Sequence, residues 1–132
     1  MSGIALQSQG DVLESGFGRF SRLWHQQAGR LVSKRLEGAL GRRIRCGVPR
    51  GEVLDIVIVR NSVRVEPMSS EDAPHAILSM NSEDWIRVLS GDLHLMSIAL
   101  AGRMAFPKDQ RRLIMQFSIL LQATMLTDEG ES

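Results

Sequence analysis

Cys46 stands between Arg45 and Gly47, where neighbouring guanidiniums would draw a thiol toward the thiolate that a nucleophile needs. Nothing beside it in the sequence supplies a base, so a buried structural thiol is the stronger reading. His25, His75 and His94 fall on three separate segments with no HxxxH, HxH or HExxH spacing, which favours surface or hydrogen-bonded histidines over metal ligands. Glu71-Asp72 and Glu83-Asp84 are sequence neighbours whose side chains diverge on a helix, so they suit capping better than paired acid/base work. There is no GxxxxGK(S/T), GxGxxG or GxSxG to cradle phosphate or present a nucleophile. One cysteine builds neither an internal disulfide nor a four-ligand zinc site. The expectation is a protein with no catalytic residues, no metal and no cofactor.

Charge is the next chemical resource. Residues 17–50 hold nine basic side chains against the single acid Glu37, while residues 66–92 hold six acids against Arg87. A basic stretch this dense fits phosphates of a nucleic acid, an anionic membrane surface or a coenzyme tail. The net charge of only +1 argues against nucleic acid as the main partner, and much of the basic stretch reads as the solvated back of a helix. Arg42, Arg43 and Arg45 are the candidates for holding an anionic headgroup.

The elements that must position these groups belong to one domain, since 132 residues leave room for a single core. With 43% apolar and 23% charged residues the chain has the balance of a folded, water-soluble globule. No apolar run reaches the ~18–20 residues that cross a bilayer, and the first fifteen residues lack the pattern of a signal peptide, so the expected location is cytoplasmic. Residues 1–16 read as a flexible lead-in, 17–127 as the domain, and 128–132 as an acidic tail.

Within the domain, Phe17, Phe20, Trp24, Ala28, Leu31, Val32, Leu36, Ala39 and Leu40 recur at helical spacing and predict a long basic helix over 17–40, ended by Gly41. Residues 47–51 read as a loop. Alternating β-branched residues over 54–59 and 63–66, joined by Arg60-Asn61-Ser62, predict a hairpin. A third strand is expected over 75–80. Asn81 then caps a helix that carries Trp85, Val88 and Leu89 inward and stops at Gly91; a second short helix spans 92–101. Residues 103–106 read as extended, and Asp109 is placed to cap a final helix to about Thr124. That helix has more apolar surface than one core contact requires, so it is either buried on most sides or faces something apolar that is not protein.

This order of parts resembles the sterol carrier protein 2 family over about residues 20–124, and the stretch HAILSMNSEDWIRVLSGDLHLMSIALAGRMAFPKDQRRLIMQF (75–117) carries the resemblance best. Gly91 and Gly102-Arg103 fit the family's two glycine positions; His75 and Pro107-Lys108 depart from it, the latter at the entry to the last helix. The resemblance implies an α+β fold, a five-stranded antiparallel sheet with helices on one face, and an apolar tunnel that takes acyl chains, sterols or isoprenoids. The residues expected to line it are Trp85, Leu89, Leu95, Met96, Met104, Phe106, Leu113, Phe117, Leu120 and Leu121. Five of the methionines fall in this apolar layer and would let it reshape. The arginine-heavy usage is compatible with a bacterial member, and some of those look like accessory factors of ubiquinone synthesis. The expected function is therefore a lipid-binding carrier, with an anionic membrane surface and a second copy of the chain as further partners. The alternative is a protein-interaction or accessory subunit that uses the same fold with a filled core.

Overall fold

The three-to-four spacing of Leu13, Phe17, Phe20 and Trp24 builds α1 (Val12–Gln26), with all four side chains buried. The computed structural model describes residues 12–27, 33–104 and 106–126, together with the backbone alone of 127–131. Helix α1 begins inside the segment that composition assigns to a lead-in. The amides of Leu13 and Glu14 donate to the two carboxylate oxygens of Glu52 at 3.0 and 2.9 Å. This satisfies two orphan helix donors and puts negative charge at the positive end of the helix dipole. A cap reaching across 38 residues leaves no local signature. Glu52→Ala should cost about 1 kcal/mol, seen as a lower urea midpoint; an unchanged midpoint would mean that water replaces the carboxylate without loss.

The helix expected over 17–40 ends at Gln26. Ala28, Leu31 and Val32 lie outside the described residues. Beyond them the chain is a tight turn: Leu36 and Glu37 both donate to the Ser33 carbonyl, and a one-turn 3₁₀ helix follows at Glu37–Ala39. Gly38 sits at its centre, where an α-helix would be weakest.

Strands β1 (Arg43–Gly47), β2 (Val53–Val59), β3 (Ser62–Pro67) and β4 (Ala76–Ser79) form one sheet in the order β3-β2-β1-β4. The hairpin of β2 and β3 pairs as the alternation predicts, with Val59 opposite Ser62. The expectation of five antiparallel strands is corrected in two ways. Strand β4 runs parallel to β1, with Ile44 beside Ala76, and residues 103–106 form no described strand. The first correction has a physical cause in residues 68–75. Leaving β3 at one edge, they must reach β1 on its far side, and Arg45 holds them on the way by donating to the carbonyls of Ser69 and Asp72 at 2.9 and 2.8 Å. Strand β3 ends level with the Gly47 end of β1 and the chain re-enters at the Arg43 end, where the His75 amide donates to the Arg43 carbonyl, so β4 arrives parallel to β1.

Helix α2 (Ser82–Leu89) starts where Asn81 accepts from the Asp84 amide at 2.8 Å, as the sequence predicts. Helix α3 (Leu95–Leu100) is capped by His94, whose Nδ1 accepts from the Met96 amide; it starts later than the Asp92 expected. A 3₁₀ turn at Lys108–Gln110 leads into α4 (Arg111–Glu131). Asp109 lies within that turn and makes no cap bond, and the helix runs past Thr124.

Helices α1, α2 and α4 converge on Phe17, whose ring meets Trp85 edge-on at 5.7 Å and lies 6.3 Å from Phe20 and from Phe117. The indoles lock this layer to the strands, Trp24 donating to the Val59 carbonyl and Trp85 to that of Gly47. Ile44, Cys46, Ile56, Ile58 and Leu78 supply the sheet side of the core.

Candidate functional site

The turn after α3 shapes the most apolar of the described clefts. Gly102, at φ 77°, ends α3 in a left-handed conformation that side chains resist. The chain then passes Met104 and Phe106 before Pro107 and re-enters as α4. Between α3 and α4 lies a groove of about 440 Å³ lined by Met96, Ala99, Leu100, Met104, Phe106, Arg111 and Met115. Leu100 is 87% exposed at its rim, and Met104, 6% exposed, is its most buried wall. Three unbranched thioethers in one wall make the groove adaptable in shape. Arg111 places one cation beside it.

Of the ten side chains expected around a tunnel, Met96, Met104 and Phe106 line this groove. Leu113 lines a different cleft, on the adjacent face of α4. Trp85, Leu89, Leu95, Phe117, Leu120 and Leu121 line none of the described clefts and pack into the core cluster, each no more than 4% exposed. They belong to one apolar layer, as expected, which they share with Phe17, Phe20 and Trp24 of α1. Leu100 and Met115, which complete the rim, were not among the expected residues; their sequence signal is an apolar side chain one helical step off the inward face.

The three arginines proposed for a headgroup are separated. Arg43 and Arg45 alternate with Ile44 on β1 and so project from the sheet face away from the helices. There Asp55, the one acid within β2, sits opposite Arg45 in register. Arg45 grips it through Nε and Nη2 at 2.8 and 3.1 Å, and Arg43 donates to Asp55 and Glu66 at 3.1 and 3.0 Å. Burial works against the Asp55 charge, but the hydrogen bonds from Arg45 and Arg43 outweigh it and hold the carboxyl below its ordinary range. Bonds to Glu66 and then Asp55 raise the Arg43 guanidinium, and the bond to Asp55 raises that of Arg45. Both arginines are thus committed to the fold. Arg42, one residue earlier, lines the cleft that Leu113 also lines.

The other reactive groups are occupied too. Cys46 is fully buried, and burial pushes its thiol well up, with the Asp55 charge adding to the effect. We expect no alkylation of Cys46 by iodoacetamide in the native protein and full alkylation in denaturant; rapid native labelling would contradict its full burial. His94 spends Nδ1 on the α3 cap, and although Ser118 Oγ lies 3.4 Å away, that hydroxyl is 1% exposed and out of reach of a substrate. His25 Nδ1 is 3.0 Å from the Asn61 carbonyl. Asp84 pairs with Arg103 at 3.5 Å, tying α2 to the turn after Gly102. Among the described residues no cluster of His, Cys, Asp and Glu is arranged to hold a metal ion.

No protein-family model and no curated protein matches the chain. Several solved structures share its architecture. A structure titled UbiJ-SCP2 ubiquinone synthesis protein is 15% identical, covers 81% of this chain and 93% of its own, and superposes with a TM-score of 0.57. A crystal structure of sterol carrier protein 2 is 13% identical, with 81% and 94% coverage and a TM-score of 0.52. The sterol carrier protein domain 2 of Helicoverpa armigera is 15% identical, with 89% and 91% coverage and a TM-score of 0.52. Coverage this complete on both sides, with TM-scores of 0.52 to 0.57, makes this chain a domain of the sterol carrier protein 2 fold.

Proposed function

We propose that the protein is a non-catalytic, cytoplasmic lipid-binding or carrier module that takes an acyl, sterol or isoprenoid chain into the methionine-lined groove between α3 and α4. The observation that carries this reading is the groove itself: about 440 Å³, open to solvent at Leu100 and floored by flexible thioethers. That volume lies within the range of small-molecule sites. The sterol carrier proteins among the structural neighbours support the same class of ligand. Each buried methylene contributes ~0.8 kcal/mol, so eight supply about 6 kcal/mol before the costs of association. Affinity then scales with chain length, while Arg111 favours a ligand with an acidic end.

The experiment is titration with a fluorescent long-chain fatty acid, alongside native mass spectrometry of the purified protein for retained lipid. Leu100→Asp combined with Met115→Asp places two charges on an exposed rim, so the melting temperature should hold while affinity falls about tenfold or more. Binding equal to wild type, or no binding by the wild type, would overturn the proposal.

A second reading, as an interaction or accessory subunit, is favoured by one feature of α4. Met115, Ile119 and Leu126 are 42%, 37% and 45% exposed and fall on one stripe of the helix. Light scattering distinguishes the two readings: a defined oligomer that Ile119→Asp dissolves supports an interaction surface, and a monomer at all concentrations supports the carrier.

A further inference from the structure

We propose that the cleft between the 3₁₀ turn Glu37–Ala39 and the first turns of α4 is a binding site for a diphosphate group. It lies on a face of α4 adjacent to the apolar groove, and the inference does not depend on that groove. The cleft has a volume of about 400 Å³ and gathers Lys34, Arg35, Arg42 and Arg112 around a single acid, Asp109. Elsewhere on the molecule Arg43, Arg45, Arg60, Arg64 and Arg103 each face a carboxylate within 4 Å. Among the described residues, none of the four cleft cations has such a partner. Four cations converge there on one acid, and an anion from outside relieves the surplus.

Three features make the cleft more than a charged surface. Gln116, itself buried, crosses it from α4 and donates to the Arg35 carbonyl at 2.7 Å, which fixes the basic turn against the helix. Gly38 lines the wall, where a Cβ would stand 3.3 Å from the Gln116 amide, so the backbone approaches closely and the space stays open. His75 also lines the cleft, and its Nδ1 accepts from the Arg43 amide at 3.0 Å, so Nε2 is the ring nitrogen left to donate.

Charge selects the ligand class. A phosphate monoester carries about −1.5 to −2 at neutral pH, which leaves part of the cleft's surplus unmatched, whereas a second phosphoryl group supplies the remainder and uses the extra volume. Arginine forks bind such oxygens bidentately. Arg35, Arg112 and Gln116 also line an adjacent hollow walled by Leu36 and Ile119, so a substituent on the diphosphate has apolar surface close by.

The test is calorimetric titration of the full chain with inorganic pyrophosphate and with geranyl diphosphate at low ionic strength. Wild type should bind pyrophosphate. Arg35→Gln with Arg112→Gln should weaken binding about tenfold or more, with unchanged circular dichroism, while Arg87→Gln on α2 should leave it intact. Should the double variant fail to fold, Lys34→Gln, on an exposed side chain, is expected to reduce affinity in the same direction. Tighter binding of geranyl diphosphate than of pyrophosphate identifies a lipid headgroup as the natural source, and equal affinities identify the free anion. Absence of wild-type binding to either compound, or equal binding by the cleft variants, overturns the proposal.

Discussion

Replacing Asp55 with alanine is expected to lower the stability of the domain by about 3 kcal/mol at neutral pH, among the largest effects of any single polar substitution. The carboxylate has no solvent exposure and anchors two guanidiniums that are themselves about 15% exposed. Its removal leaves Arg43 and Arg45 crowded together and takes away the anchor that aims Arg45 at the carbonyls of residues 69 and 72. Because that tether holds the crossover to β4, hydrogen exchange should accelerate first in β4 and residues 68–75. Urea unfolding gives the magnitude, and a loss below about 1 kcal/mol would show that the network behaves as an ordinary surface ion pair.

The same carboxylate makes stability depend on acid. The Asp55 carboxyl is held below its unfolded value near 3.8, so at pH values between the two the unfolded chain binds more protons than the native one. The contribution is therefore complete above the unfolded value and is lost as pH falls through the native one. In Asp55→Asn the fall in stability below about pH 4 should be shallower than in wild type, and parallel curves would place the acid sensitivity at other carboxylates.

The hairpin, the Asn81 cap and the glycines that end α2 and α3 were legible because each depends on residues within a few positions of one another. Asp55 was visible as an acid in an apolar run, but its partners follow from the register that sets Arg45 opposite it, which no local pattern encodes. The same holds for the direction of β4, which follows a crossover that Arg45 holds through bonds to loop carbonyls. Periodicity found the apolar face of α4 but merged two surfaces: Ile114, Phe117, Leu121 and Met125 enter the core, while Met115, Ile119 and Leu126 face outward. It also cannot separate a wall from a filling, because a side chain beside a void and one packed against another ring occupy the same helical phase. Six of the expected lining residues are buried in the core cluster, and the groove between α3 and α4 lies one step around the helix from them.

Leu120 turns that distinction into a measurement. Its side chain has no exposed surface, and it belongs to the core cluster that contains Phe117, Leu121 and the aromatic rings of α1. An arginine there must bury a longer, charged side chain within this apolar cluster. The combined cost is on the order of 5 kcal/mol, comparable with the whole stability of a small domain. Leu120→Arg should therefore be largely unfolded by circular dichroism at 25 °C, unlike the rim variants at Leu100 and Met115, whose new charges remain in water. Were Leu120→Arg instead to keep the wild-type melting temperature and lose only fatty-acid binding, the space beside residue 120 would have to be open to a ligand. The binding site would then run inward from the groove beneath α4, and Met104, its most buried wall, would be the side chain that moves to admit the ligand.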